Sequence, residues 1–150
     1  MRILVTGAAG FIGSAICEQL VLSDHNVTAV DNFSDYYDVS LKHLRVKELL
    51  NPVNLEVLNL DICDQVKVEK IIASSNPEIV IHLAAQAGVR LGVSDSRKYV
   101  DSNLVGFSNV LISTIEKKVP KFLYASSSSV YGDKAEIPYS ESESNLHPSS

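Results

Sequence analysis

The sequence predicts an α/β fold: a doubly wound parallel sheet of five strands in the order 3-2-1-4-5, with helices on both faces. Three observations carry this reading. Strand and helix patterns alternate along the whole chain, which calls for parallel strands joined by helical crossovers. The first strand pattern runs into a glycine turn and then a helix pattern, and the second strand pattern ends on an acid. Finally, Gly7, Asp31, Asp61, Ala84 and Ser126 all fall at the C-terminal ends of predicted strands, the edge where open α/β sheets bind ligands.

Each element has its own signal. Arg2–Thr6 is a buried-strand run. Phe11, Ile12, Ala15, Ile16 and Leu20 space as one face of a first helix. Val27–Asp31 is the second strand. Leu41, Leu44, Leu49 and Leu50 sit in a charged helix that Pro52 is expected to stop. Leu55, Val57, Leu58 and Leu60 make the third strand, ending at Asp61. Asp64 is the expected N-cap of a helix carrying Val66, Val68, Ile71 and Ile72. The fourth strand is Glu78–Leu83. A long helix follows over about 97–118, ended by Pro120, and Phe122–Ala125 is the fifth strand. Beyond Tyr131 the chain turns polar and reads as a surface loop.

Length and composition narrow the function classes. The 150 residues amount to one domain with a sizeable core. The net charge of −5, without a basic run, argues against nucleic acid as a partner. No apolar stretch reaches the ~18 residues of a membrane helix, so no membrane partner is expected. Residues 1–13 read as strand and turn, not as a signal peptide. Cys17 and Cys63 lie in apolar patterns and are expected to be reduced and buried, which suits a cytoplasmic protein. The histidines and cysteines show no metal-ligand spacing.

The glycine turn carries the sharpest chemistry. Gly7 turns the chain out of the strand. Gly10 lets backbone approach a pyrophosphate, and Gly13 lets the helix pack close to the sheet. The helix N-terminus then offers unpaired N–H groups and a positive dipole end to phosphates. Asp31 stands where a carboxylate accepts hydrogen bonds from an adenosine ribose diol. Asp61 has two readings of equal standing, an acceptor for an adenine amino group or a cap of the next helix. His82 reads as a satisfied core histidine sooner than as a catalytic one. Arg90 either pairs with an anionic substrate group or is simply solvated. Ser126–Ser129 form a hydroxyl cluster at a strand end, suited to bonding a sugar hydroxyl or a carbonyl intermediate.

The segments Thr6–Gly13, Asp31-Asn32, Asp61-Ile62, His82–Gln86, Asn103 and Ser126–Gly132 resemble, in order, the extended short-chain dehydrogenase/reductase family, the NAD-dependent nucleotide-sugar epimerases and dehydratases. Within it, Asp31–Lys42 and Ala85–Arg90 look most like UDP-glucuronate or UDP-galacturonate 4-epimerases. Dehydratases usually carry an acidic pair where this chain has Ser127–Ser129. The resemblance implies a Rossmann-type domain and NAD as cofactor, with a UDP-sugar as substrate. It also admits a homodimer in the full-length protein. It implies that Gly7, Gly10, Phe11, Ile12, Gly13, Asp31, Asn32, Asp61, Ile62, Leu83, Ala84, Ala85, Gln86, Asn103 and Ser126 contact the cofactor. Ser127 matches the family's catalytic Ser/Thr, and Arg90, Ser128 and Ser129 would face the substrate.

One departure stands out. The family's base is the tyrosine of a Tyr-x-x-x-Lys motif, and Tyr124, Tyr131 and Tyr139 are followed four residues later by Ser128, Ala135 and Glu143. Residues 1–150 are therefore expected to be an N-terminal, NAD-binding fragment of an epimerase, without the catalytic pair and the sugar-binding part. Two alternatives stand beside that reading: another NAD-dependent nucleotide-sugar epimerase or reductase, and a non-catalytic NAD-binding module.

Overall fold

The computed structural model describes residues 1–88, 96–132 and 137–141. Five parallel strands, β1 (Arg2–Thr6), β2 (Asn26–Asp31), β3 (Val57–Asn59), β4 (Ile79–His82) and β5 (Lys121–Tyr124), form one sheet in the order β3-β2-β1-β4-β5. The helices are α1 (Phe11–Leu22), α2 (Ser40–Arg45), α3 (Gln65–Ser75), α4 (Ser96–Tyr99) and α5 (Phe107–Glu116). The expected topology is the observed one. The register sets Thr6 against Val30 and His82, Asp31 against Asn59, and His82 against Tyr124. The C-terminal strand ends therefore stand in a single row.

Both faces of the central strands are covered, as side-chain alternation on β1 requires, while Leu58 of β3 and Leu123 and Tyr124 of β5 are exposed. Leu4 points to one face, with Val30, Leu60, Val80, α3 residues Val68 and Ile72, and Val110 of α5. Ile3 and Val5 point to the other, with Ala29, Cys17 of α1 and Leu50. Asp64 caps α3 by accepting from the Lys67 N–H at 3.1 Å.

Four expectations about the helices are corrected. The buried face of α1 is Gly13, Ser14 and Cys17, while Phe11, Ile12 and Ala15 are exposed. Small residues face inward because α1 lies close against β1 and the glycine turn, leaving no room for a large side chain. In α2, Leu41 and Leu44 are exposed and Lys42 is buried, the reverse of the apolar-in pattern. Val66 is exposed too, in the first turn of α3. Helical continuity also differs. The coil after α2 widens into i→i+5 turns at Val46–Leu50, then passes through Pro52 in a tight turn to Val53, where Asn54 ends it in the left-handed region. Pro52 does not stop the coil because a proline in the first turn of a new helical segment has no N–H that needs a partner. Wide turns also occupy Val100–Gly106 between α4 and α5, within the stretch expected to be one regular helix.

Cys17 is buried, and burial pushes its thiol up to about 12. Cys63 is only half-buried, contrary to expectation, because its Sγ reaches out to the Asp101 carbonyl at 3.1 Å. Among the described residues, no helix is long and apolar enough to cross a membrane, and no three His, Cys, Asp or Glu gather as metal ligands.

Candidate functional site

The row of strand ends opens onto a cavity of about 530 Å³. One wall is the glycine turn. Gly7 has φ +72°, and a Cβ there would lie 2.7 Å from the backbone of Leu83 and Ala84, so turn and neighbouring strand both demand glycine. Gly7 O accepts from the Gly10 N–H at 3.0 Å. A Cβ on Gly13 would drive into that same carbonyl, so Gly13 serves packing of α1 on the turn itself more than on the sheet. A Cβ on Gly10 would stand 3.0 Å from Gly7 O, tight but short of collision. Gly10 also lines the cavity and caps α1 without any side-chain hydrogen bond. The first N–H groups of a helix lack intrahelical acceptors, and here they begin beside open space.

Asp31 closes β2 beside that turn and is buried. One carboxylate oxygen accepts from the Ala9 N–H at 3.1 Å, and the other from the Phe33 N–H at 2.8 Å and Lys42 Nζ at 2.9 Å. The turn and β2 are thus tied together by backbone and side chain, with Ala8 N–H donating to Val30 O as well. Asn32, next along, donates to Asp61 at 3.2 Å. Asp61 does not cap α3, since Asp64 does. It lines a second cavity of about 310 Å³ that shares Asn32, Ser34, Tyr36, Gln86 and Ser102 with the first. Partial burial raises the Asp61 carboxyl, but hydrogen bonds from Cys63 and Asn32 outweigh it and hold the group below the usual carboxylate range.

The segment after β4 forms the opposite wall, through Leu83–Ala87. Its course is set from two sides. Thr6 Oγ1 accepts from the Leu83 and Ala84 N–H groups, each at 3.2 Å. Asn103 accepts from the Gln86 N–H at 2.7 Å and donates to Gln86 O at 3.1 Å. The Tyr99 hydroxyl donates to Gly88 O. His82 is buried among Phe107 and Phe122, and burial lowers it to about 4.

The cavity therefore gathers Gly7, Gly10, Phe11, Ile12, Gly13, Asp31, Asn32, Ile62, Leu83, Ala84, Ala85 and Gln86 from the residues singled out in the sequence. Asn103 acts on the wall through Gln86. Ser126–Ser129 are not in the lining, which stops at Ala125. There the Ser127 Oγ accepts from the Ser129 N–H at 3.2 Å and lies 3.1 Å from Ser129 Oγ, and the chain makes a tight turn over Ser128–Tyr131. Arg90 lies outside the described residues. Sequence reasoning missed Lys42, Tyr36, Tyr37 and Arg45, which all line the cavity. The available signal was Lys42 and Arg45 one helical turn apart, a spacing that ordinarily describes a solvated face.

A profile described as the NAD dependent epimerase/dehydratase family matches residues 3–150. The chain is 44% identical over 154 residues to the protein CapI of Staphylococcus aureus, covering 99% of this chain and 44% of that one. It is 41% identical over 151 residues to UDP-glucuronate 4-epimerase 4 of Arabidopsis thaliana, covering 100% of this chain and 34% of that one. It thus spans less than half the length of these curated relatives. Among solved structures it is similar to the UDP-glucuronic acid 4-epimerase of Bacillus cereus in complex with UDP-glucuronic acid and NAD, with a TM-score of 0.84, 34% identity, and 98% and 46% of the two chains covered. The UDP-glucose 4-epimerase of Stenotrophomonas maltophila, with bound NAD, superposes with a TM-score of 0.81 at 28% identity, over 97% and 42%. A match that begins in β1 and runs to the last residue, over a fold that superposes on NAD-bound enzymes, makes this chain a member of the NAD dependent epimerase/dehydratase family.

Proposed function

We propose that this chain is the NAD-binding part of a nucleotide-sugar 4-epimerase that interconverts UDP-glucuronate and UDP-galacturonate. The observation that carries the reading is the cavity on which the glycine turn, the Asp31 carboxylate and the Leu83–Gln86 segment converge. Its residues fit a dinucleotide. Gly10 keeps a side chain off the uncapped end of α1, where a pyrophosphate would find backbone donors. Among the described residues Asp31 Oδ2 accepts from the Ala9 N–H alone and keeps acceptor capacity for a ribose hydroxyl, and Asp61 and Ile62 would flank the adenine. Bound NAD supplies a hydride acceptor and donor. In the reaction, a general base would take the C4 hydroxyl proton as the hydride leaves C4, and the 4-keto sugar would take back the hydride on its other face and the proton on its oxygen. Ser127 would donate a hydrogen bond to the C4 oxygen.

None of the six tyrosines is followed by a lysine four residues on, so residues 1–150 hold cofactor and do not epimerise alone. Losing a general base forfeits ~10²–10⁴-fold in rate. The test has two arms. The 150-residue chain should bind NAD and form no product from UDP-glucuronate, and turnover of ~1 s⁻¹ or more would show the base is misassigned. The full-length protein should prefer UDP-glucuronate to UDP-glucose, and the opposite preference refutes the uronate reading.

The placement of Ser127–Ser129 beyond the cavity lining, with Ser127 and Ser128 exposed, favours a second reading, a non-catalytic NAD-binding module. NAD binding without epimerisation by the full-length protein would select it.

A further inference from the structure

Asp31 is met by a cation inside the protein. Lys42 Nζ lies 2.9 Å from its Oδ1, and the two side chains are 7% and 5% exposed. Among the described residues the ammonium also donates to Ser34 Oγ at 3.3 Å, and the Tyr37 ring centroid is 5.6 Å away. Arg45, one turn further along α2, donates to the Tyr37 hydroxyl at 2.8 Å and also lines the cavity. The acid assigned to the ribose thus stands beside one buried cation, and a second lies one turn further along α2 in the same cavity lining.

We propose that Lys42 determines how this site distinguishes NAD from its 2′-phosphorylated form, a proposal that rests on the dinucleotide reading of the cavity. An isolated carboxylate rejects a 2′-phosphate by repulsion of like charges. Here Lys42 largely neutralises the carboxylate, so repulsion is blunted. Discrimination resides instead in occupancy: Asp31 engages the ammonium that a phosphate would otherwise recruit. With the carboxylate gone, a desolvated ammonium, the Ser34 hydroxyl and the nearby Arg45 guanidinium are the ingredients of a phosphate site. Lys42 is a latent 2′-phosphate ligand that Asp31 keeps engaged.

The test is calorimetric titration of the chain with NAD and NADP, folding being checked by circular dichroism. Asp31→Ser should bind NADP at least tenfold tighter than the unsubstituted chain, and Asp31→Ser/Lys42→Met should lose that gain. No gain in Asp31→Ser, or a gain that survives in the double variant, overturns the proposal. If Asp31→Ser is unfolded, Lys42→Met alone decides. It leaves the carboxylate without its cation, so the preference for NAD over NADP should widen at least tenfold, and an unchanged ratio overturns the proposal. An unsubstituted chain that binds neither dinucleotide overturns the cofactor reading and this proposal together. NAD binding with unshifted ratios overturns this proposal alone.

Discussion

Thr6 Oγ1 lies 2.8 Å from His82 Nδ1 across the β1–β4 pair, and the direction of that hydrogen bond is determined by its surroundings. The Thr6 oxygen already accepts from the Leu83 and Ala84 N–H groups. With both lone pairs engaged, its proton points to His82. Nδ1 is therefore the acceptor, and the ring proton sits on Nε2.

A first prediction concerns pH. Burial lowers His82 from 6.5 to about 4, so the fold favours the neutral ring. The unfolded chain binds this proton first as pH falls, so the contribution is whole above pH 6.5 and is lost progressively down to about pH 4. The loss should reach about 3 kcal/mol, at ~1.4 kcal/mol for each tenfold change in proton affinity. Urea unfolding from pH 7 to 4 would measure it. His82→Gln should flatten that slope, and an identical slope in the variant would remove His82 as its source.

Thr6→Val should destabilise by ~2 kcal/mol, because it leaves His82 Nδ1 buried without its partner and removes the acceptor of the half-buried Ala84 N–H. Thr6→Ser retains the oxygen and should cost less than ~1 kcal/mol. Equal stability of the valine and serine variants would contradict the hydrogen-bond account.

The glycines should separate by readout. Gly13→Ala forces a methyl into the Gly7 carbonyl and should cost ~1–3 kcal/mol of stability. Gly10→Val should fold, losing NAD affinity far more than stability. A folded Gly10→Val protein with unchanged NAD affinity would mean that the turn is not a phosphate site.

Asn103 grips both main-chain groups of Gln86. Asn103→Ala should cost ~1–2 kcal/mol and speed amide exchange over residues 84–88. Asn103→Asp should be worse, since it turns an acceptor toward the Gln86 carbonyl. Unaltered exchange at Gln86 in both variants would dismiss the clamp.

Strand order and much of the cavity lining were legible because alternating apolar runs, right-handed crossovers and the glycine spacing all point the same way. Leu41 and Lys42 misled because α2 faces a cavity across part of its surface, where an ammonium finds Asp31 and a leucine finds no core. The wide turns at Val46–Leu50 and Val100–Gly106 leave no mark in the periodicity, since one added residue per turn only blurs the helical phase. Ser127–Ser129 were located correctly at a strand end, but a strand end does not specify how far the next turn carries the chain from the cavity.

Two glycines of the turn, Gly10 and Gly13, face one atom, the carbonyl oxygen of Gly7, yet the three answer to different selective pressures. Gly7 and Gly13 are held by the chain's own backbone and would be purged of substitutions by misfolding alone, whether or not a ligand is ever bound. Gly10 is held less firmly by the protein, since its Cβ would stand 3.0 Å from that carbonyl where that of Gly13 would collide with it, and it also borders the cavity. In a descendant that abandoned its dinucleotide, Gly10 would be the first of the three to drift, so a motif decayed at that position alone would be the fossil of a lost ligand in an intact fold.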